Sequence, residues 1–331
     1  MPPRPTVLIA CPALAAANNG NWQTASRWAR MLKPDFHIRV IDGWHGEPGD
    51  VLIALHARRS AEAVATYSAA HPRRPCVVVL TGTDLYRDIR DDASAQDTLR
   101  RATQLVVLQD QGLAALPPEH RNKAGVIFQS APRRLTAPPP KRALHVIFVG
   151  HLRAEKEPLT LLRAASRLAH RPDIRIDLIG GELDSALAEA ARDAEATMPQ
   201  CRWLGARSHA ETRRRIQRAH VLVNSSRMEG GAHVVLEAVQ SGTAVVASRI
   251  DGNVGMLGAE HDGYFELGDD AGLAALIVRA RDDAPFLARL RAQGEQRSAL
   301  FAPATERQRL HRLITAALQD AATHADAAKD H

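Results

Sequence analysis

The sharpest chemical signal in this sequence is a pair of acids eight positions apart, Glu229 and Glu237. They sit in the run Asn224-Ser225-Ser226-Arg227-Met228-Glu229-Gly230-Gly231-Ala232-His233-Val234-Val235-Leu236-Glu237-Ala238. A carboxylate accepts two hydrogen bonds, so it can grip the vicinal diol of a sugar or a ribose. Gly230 and Gly231 permit close backbone approach. The amides from Gly230 and Gly231 through Ala232 to His233 stand at the start of a helix, where they can meet a diphosphate or a sugar hydroxyl. The plainer alternative is that Glu229 caps that helix and Glu237 makes a surface salt bridge.

A second group follows an apolar run that ends at Val149. It reads Gly150-His151-Leu152-Arg153-Ala154-Glu155-Lys156-Glu157-Pro158. Lys156 is a compact cation suited to a departing diphosphate, and Arg153 offers a forked donor for the same oxygens. A solvated basic loop is the alternative, and the signal gains weight only beside the Glu229 loop. A third group lies in the first half. Asn18, Asn19, Gly20 and Asn21 form a polar loop before a helix, His56 ends the apolar run Val51 to Leu55, and Thr81-Gly82-Thr83-Asp84 ends the run Val77 to Leu80. Asp84 could orient a neighbour, bind substrate or cap a helix. Beyond Ser248, Arg249-Ile250-Asp251-Gly252-Asn253-Val254-Gly255-Met256 reads as another ligand-side loop rather than core.

These groups need a scaffold that brings loops to one edge. Short apolar runs predict strands at 6–10, 37–41, 51–55, 76–80, 105–108 and 124–128, with helices at 22–33, 59–70 and 95–102. Strands are then expected at 145–149, 174–179, 201–204, 221–224 and 244–248, and helices at 158–169, 184–196, 208–219, 232–241, 270–281, 284–298 and 303–319. The alternation is that of parallel sheets covered by helices. Between the halves, Ala131 to Arg142 carries three consecutive prolines, which fit neither a helix nor a central strand. The expected division is a first domain at 1–135, a second at 136–300, a helix at 301–320 packing back toward the first domain, and a polar tail at 321–331.

Length and composition agree with this plan. The 331 residues suit two domains of about 150 each. The formal charge of +6 suits an anionic substrate. The basic residues are interleaved with acids and form no dense block, which argues against nucleic acid. Cys11, Cys76 and Cys201 are widely spaced and read as buried, reduced thiols, with no cysteine metal cluster. The first apolar run is too short to span a membrane and reads directly as a strand. A soluble cytoplasmic protein without stable membrane association is expected. The first strand is not followed by G-x-G-x-x-G, and no G-x-x-x-x-G-K-[S/T] loop occurs, so a dinucleotide dehydrogenase and a P-loop nucleotidase are disfavoured.

With those residues assembled, the chain resembles the retaining glycosyltransferases of the GT-B type, family four, over nearly its whole length. The family's Glu-x7-Glu signature falls on Glu229 and Glu237, and its G-R-L-x-x-E-K-G pattern falls on Gly150 to Glu157. The resemblance implies an α/β fold of two Rossmann-like domains facing across a cleft. It implies that Lys156 contacts the donor diphosphate, Glu237 the ribose, and Glu229 the transferred sugar with nearby amides. It further implies uracil packing near Leu204, Gly205 and Arg207, a first glycine-rich loop at Asn19-Gly20-Asn21 and a cleft histidine at His56. The chain departs from the family by carrying His151 in place of arginine, Glu157 in place of glycine and Thr81 in place of histidine, and by having one glycine in the first loop.

Three longer runs, His151 to Lys156, Ser226 to Gly231 and Ser248 to Gly258, are similar to the selenosugar synthases of bacterial selenoneine biosynthesis. That similarity implies a UDP-sugar, with N-acetylglucosamine the expected sugar, reacting with selenophosphate to give a selenosugar, UDP and phosphate. It links the protein functionally to enzymes that make selenophosphate and form selenoneine. Lys156, Arg153, Glu229, His56 and His151 are then the catalytic candidates, and Asn19, Asp84, Arg227 and Arg249 the acceptor-side ones. No D-x-D motif occurs, so cations and helix amides are expected to stabilise the leaving group without metal or cofactor. The alternative is a retaining UDP-sugar transferase acting on a hydroxyl or thiol of a small metabolite.

Overall fold

The computed structural model describes residues 4–12, 20–134 and 142–327. Asn18 and Asn19, most of the proline run and the last residues of the expected tail lie outside the described residues. The chain divides into two compact units, one made of residues 1–129 with 303–331 and the other of residues 130–302.

The first unit is built on six parallel strands: β1 (Thr6–Ala10), β2 (His37–Ile41), β3 (Val51–Leu55), β4 (Cys76–Leu80), β5 (Gln104–Val107) and β6 (Ala124–Val126). Their order is β2-β1-β3-β4-β5-β6. β3 and β4 are buried at every position because both sheet faces are covered, which is why they read as unbroken apolar runs. Side-chain alternation splits the core in two. Leu8, Leu52 and Val78 pack on one face, and Val7, Ile53 and Val77 on the other. The helices are α1 (Gly20–Leu32), α2 (Ala61–Ala70), α3 (Ile89–Asp91), α4 (Ala93–Arg101) and α5 (Gly112–Ala115).

Trp28 and Leu32 of α1 cover the Val7 face together with Leu310 and Ile314 of the C-terminal helix, Pro303–Ala327. That helix is pinned by Glu306, which is fully buried. Its carboxylate accepts from Trp28 Nε1 at 2.7 Å and pairs with Arg27 at 3.0 Å. The helix continues to Ala327, through positions expected to be tail.

The second unit repeats the plan with β7 (Leu144–Val149), β8 (Ile174–Ile179), β9 (Cys201–Trp203), β10 (Val221–Asn224), β11 (Ala244–Ser248) and β12 (Tyr264–Phe265). The order is β12-β11-β10-β7-β8-β9, again all parallel. Its helices are α6 (Pro158–Arg167), α7 (Ser185–Thr197), α8 (His209–Arg218), α9 (His233–Val239), α10 (Asp251–Leu257), α11 (Asp270–Asp282) and α12 (Ala284–Arg297). Leu144, Val146, Phe148, Ile176 and Leu178 form the core with Leu161, Leu273 and Phe286.

In each sheet the chain order reverses at one place, between β1 and β3 in the first unit and between β7 and β10 in the second. Loops diverge there at the carboxyl ends of the strands, leaving room for a ligand. His56 follows β3, and the Lys156 and Glu229 loops follow β7 and β10.

Three expectations need correction. The segment after Ser248 is a buried helix rather than an open loop: Gly252, Asn253, Gly255, Met256 and Leu257 are all buried in α10. A Cβ on Gly252 would stand 2.1 Å from the Glu229 carbonyl oxygen, so that close approach needs glycine. The second unit also starts before the proline run. The Ala131 amide donates to Phe301 O at 3.2 Å and the Arg134 amide to Gln240 O at 2.8 Å, which fixes this stretch to the second unit. Finally, Gly20 and Asn21 are the first turn of α1 and not loop.

Candidate active site

The loops after β7 and β10 are stitched together at the switch point of the second sheet. After Gly150 the chain makes a short 3-10 turn over Ala154–Lys156 and then a sharp reversal at Glu157, whose φ is 47°. Pro158 opens α6 immediately afterwards, its fixed φ already suited to a helix. The Ser225 hydroxyl bonds the carbonyls of Lys156 at 3.1 Å and Glu157 at 2.9 Å, and the Arg227 amide donates to Glu155 O at 2.9 Å.

Two ion pairs cross between these loops. Lys156 Nζ lies 2.7 Å from Glu229 Oε1, and Arg227 Nε pairs with the Glu157 carboxylate. A Cβ at Gly150 would come within 3.2 Å of the Lys156 Cγ, so the missing side chain leaves room for the lysine stem. Glu229 is buried, and Oε1 also accepts from the Ser226 hydroxyl at 2.6 Å and the Asn224 amide at 3.4 Å. Burial alone would raise its pKa. The Lys156 charge and the three hydrogen bonds outweigh burial and hold the carboxyl below its ordinary value. Glu229 is therefore ionised and does not cap α9, whose N-cap is Ala232.

Glu237 is just as far from a surface salt bridge. It is 2% exposed on α9. His209 Nε2 approaches its Oε1 to 2.6 Å, while Arg213 Nη1 and His233 Nε2 each lie at 3.5 Å. Burial again works to raise this carboxyl, and the His209 hydrogen bond with the His233 and Arg213 charges brings it below the ordinary value. His209 and Arg213 were not expected from the sequence. Their i,i+4 spacing behind the N-cap Ser208 was visible, but nothing local says that this face of α8 meets α9.

The remaining candidates spread around this centre. His151 accepts from the Gly181 amide at 3.0 Å through Nδ1. Burial, then the nearby Arg153 and Lys156 charges, lower its pKa, so it is neutral near pH 7. Arg153 is more exposed, 3.9 Å from Glu155. Leu204, Gly205 and Arg207 follow β9: the Gly205 carbonyl accepts from the Gly180 amide at 3.0 Å, and Arg207 lies 3.5 Å from Glu211. Gly230 is buried, whereas Gly231 and His233 are half-buried. Arg249 stacks over the Tyr264 ring at 4.8 Å and reaches Glu266 at 3.7 Å, on the β11–β12 side of the sheet.

In the first unit, His56 is buried at φ 75°, a conformation a non-glycine residue rarely adopts. Nε2 contacts the Thr83 hydroxyl at 3.0 Å, and Nδ1 accepts from the Arg59 amide at 3.3 Å. Burial lowers its pKa despite the Asp84 charge, leaving a neutral ring. Asp84 corrects its expectation as an acceptor ligand. It has no exposed surface, and its oxygens accept from the amides of Ala57 at 2.9 Å, Thr81 at 2.9 Å and Gly82 at 2.8 Å. It ties the loops after β3 and β4 and begins a π-helical turn, Asp84–Asp88. Asn21 is buried in α1, and Asn19 is outside the described residues.

Residues 136–297 match the family described as glycosyl transferases group 1. That segment contains every second-unit site residue described in this subsection, from Gly150 to Glu266.

Solved structures share the whole fold. Sucrose-phosphate synthase from Thermosynechococcus elongatus is 16% identical, with a TM-score of 0.75 over 94% of this chain and 98% of that one. Anabaena HepE, solved in complex with UDP and glucose, is 15% identical, with a TM-score of 0.74 over 94% of this chain and 99% of that one. The pneumococcal O-GlcNAc transferase GtfA, in complex with UDP and GlcNAc, is 16% identical, with a TM-score of 0.64 over 81% of this chain and 57% of that one. These likenesses establish the GT-B fold of two Rossmann-like domains. No curated protein sequence matches the chain. Among the described residues, no helix is long and apolar enough to cross a membrane. All three cysteines are buried, and burial pushes the Cys76 and Cys201 thiols up to about 12.

Proposed function

We propose that this protein transfers a sugar from a UDP-sugar, held by the second unit, to selenophosphate. The anomeric carbon loses its bond to the UDP oxygen and gains a bond to selenium. Water then cleaves the phosphorus–selenium bond, leaving a selenosugar and phosphate. The single observation that carries the donor reading is the 2.7 Å contact between Lys156 and Glu229 at the switch point. It joins a cation for the leaving diphosphate to a carboxylate for sugar hydroxyls. Glu237, two-sidedly held by His209 and Arg213, is the ribose ligand in this reading. HepE and GtfA, both solved with UDP, share the fold and favour a uridine donor.

The acceptor assignment rests on the sequence runs around His151, Ser226 and Ser248 and on the chemistry of selenophosphate. That anion arrives already deprotonated, so it needs cations for its oxygens and little general-base help. Arg227 is half exposed next to the Lys156–Glu229 pair and is suited to this task. N-acetylglucosamine is the proposed sugar. The test is mass-spectrometric product analysis with selenophosphate and a panel of UDP-sugars. A selenium-containing sugar with release of UDP is expected. Turnover only with hydroxyl or thiol acceptors would replace the acceptor assignment and keep the donor one.

A further inference from the structure

We propose that His209, His233 and Glu237 form a binding site for a borderline divalent transition metal such as Zn2+, and that the metal competes with the nucleotide donor. The three ligand atoms come from two helices of the second unit and lie within 4.8 Å of one another. Two ligands at tetrahedral angles around Zn2+ stand about 3.4 Å apart, from bond lengths of about 2.1 Å. The 3.5 Å between His233 Nε2 and Glu237 Oε1 already meets that spacing. His233 and Glu237 are four apart on α9, so one helix face presents both. His209 Nε2, at 2.6 Å from the same oxygen, needs only to rotate outward, and its side chain is 59% exposed.

Two imidazole donors among three ligands suit Zn2+, Ni2+ or Cu2+ better than Mg2+. Exposure of His209 gives the ion a way in, and burial of Glu237 on α9 holds the carboxylate in place. Arg213 supplies the outer partner that metal-bound carboxylates use. It is 2% exposed, and its Nη1 lies 3.5 Å from Glu237 Oε1 while finding no hydrogen-bond partner among the described residues. Glu237 shared with a metal is lost to a ribose diol, so metal and donor exclude each other. This competition rests on the donor reading above, whereas metal binding itself does not. The ion is thus an inhibitor and not a participant in sugar transfer.

The test is calorimetric titration of the full chain with Zn2+, followed by titration with UDP in the presence and absence of Zn2+. One dominant site is expected. Its affinity should fall at least about tenfold in His209→Ala and in His233→Ala. It should stay unchanged in His170→Ala, an exposed control histidine. Zn2+ at about nine times its wild-type Kd should weaken UDP binding about tenfold in the wild type and no more than about twofold in His209→Ala, which separates competition at the site from chelation by the diphosphate. Equal zinc affinity in wild type and both histidine variants would overturn the site. Undiminished UDP affinity in zinc-saturated protein would overturn the competition. Failure of UDP to bind the zinc-free protein would overturn the donor reading instead, while the zinc titrations still decide the metal site.

Discussion

Both sheets bury a carboxylate near the carboxyl ends of their central strands, yet the two acids are satisfied in different ways. Asp84 in the first unit is met by three backbone amides, whereas Glu229 in the second is met chiefly by the side chain of Lys156. Amides are fixed by the fold, so Asp84 is locked and its charge is spent on holding two loops. A lysine is on a flexible stem, so its partner can change when an anion arrives. The difference separates an acid that builds a site from an acid that can work in one, although both are buried and both follow a strand.

The largest effect is expected from Lys156→Ala. Loss of the cation should lower kcat/KM about a hundredfold or more, equivalent to ~3 kcal/mol of transition-state stabilisation. It also leaves Glu229 buried without its main counter-charge, which changes the sign of a pH effect. In the wild type the Glu229 pKa is depressed. Its contribution to stability is therefore present above the unfolded value and lost as pH falls through the folded one. In the variant, burial prevails and the pKa rises above the unfolded value, so stability should fall as pH rises through the folded one. Melting curves across a pH series read this directly, and parallel curves for the two proteins would show that Lys156 is not what depresses Glu229.

Asp84→Ala comes next. Removing an acceptor shared by three buried amides should cost about 2–3 kcal/mol of stability in denaturant titration. UDP affinity should stay at the wild-type value. Weaker UDP binding in a folded variant would erase the contrast between the two acids.

Arg227→Ala is expected to raise KM for selenophosphate about tenfold through loss of one charge-assisted contact, with smaller change in UDP affinity. Equal loss of both would remove the acceptor assignment. The smallest effect belongs to Glu157→Gly. Glycine relieves the strain of φ 47°, and the lost Arg227 pair offsets that gain, so stability should stay within about 1 kcal/mol of wild type. A large loss would mean that the crossing pair holds the loops together.

Much of this contrast could be read before any coordinates. The strands were legible because sheets covered on both faces demand unbroken apolar runs such as Val51 to Leu55. α10 was not, since Gly252 and Gly255 break helical patterning and only the packing against Glu229 explains them. The motifs assigned Lys156 and Glu229 to one ligand, but their direct pairing appears only in the structure. The Arg227–Glu157 pair spans 70 positions and depends on β10 lying beside β7, which no local pattern states. The same holds for His209 and Arg213, whose importance appears only when α8 meets α9. Asp84 was visible as a polar residue after a strand, but whether its oxygens face ligand or backbone is decided by the loop path.

The return of the C-terminal helix to the first unit has a consequence for biosynthesis. The second unit has all its parts as soon as residue 302 has left the ribosome. The first must wait, with the Val7, Ile53 and Val77 surface lacking Leu310 and Ile314, until the helix beyond it emerges. The nascent chain therefore carries a greasy, unfinished N-terminal half throughout most of its synthesis, and a product truncated before Glu306 would be marked for chaperone capture or degradation even with its second unit intact.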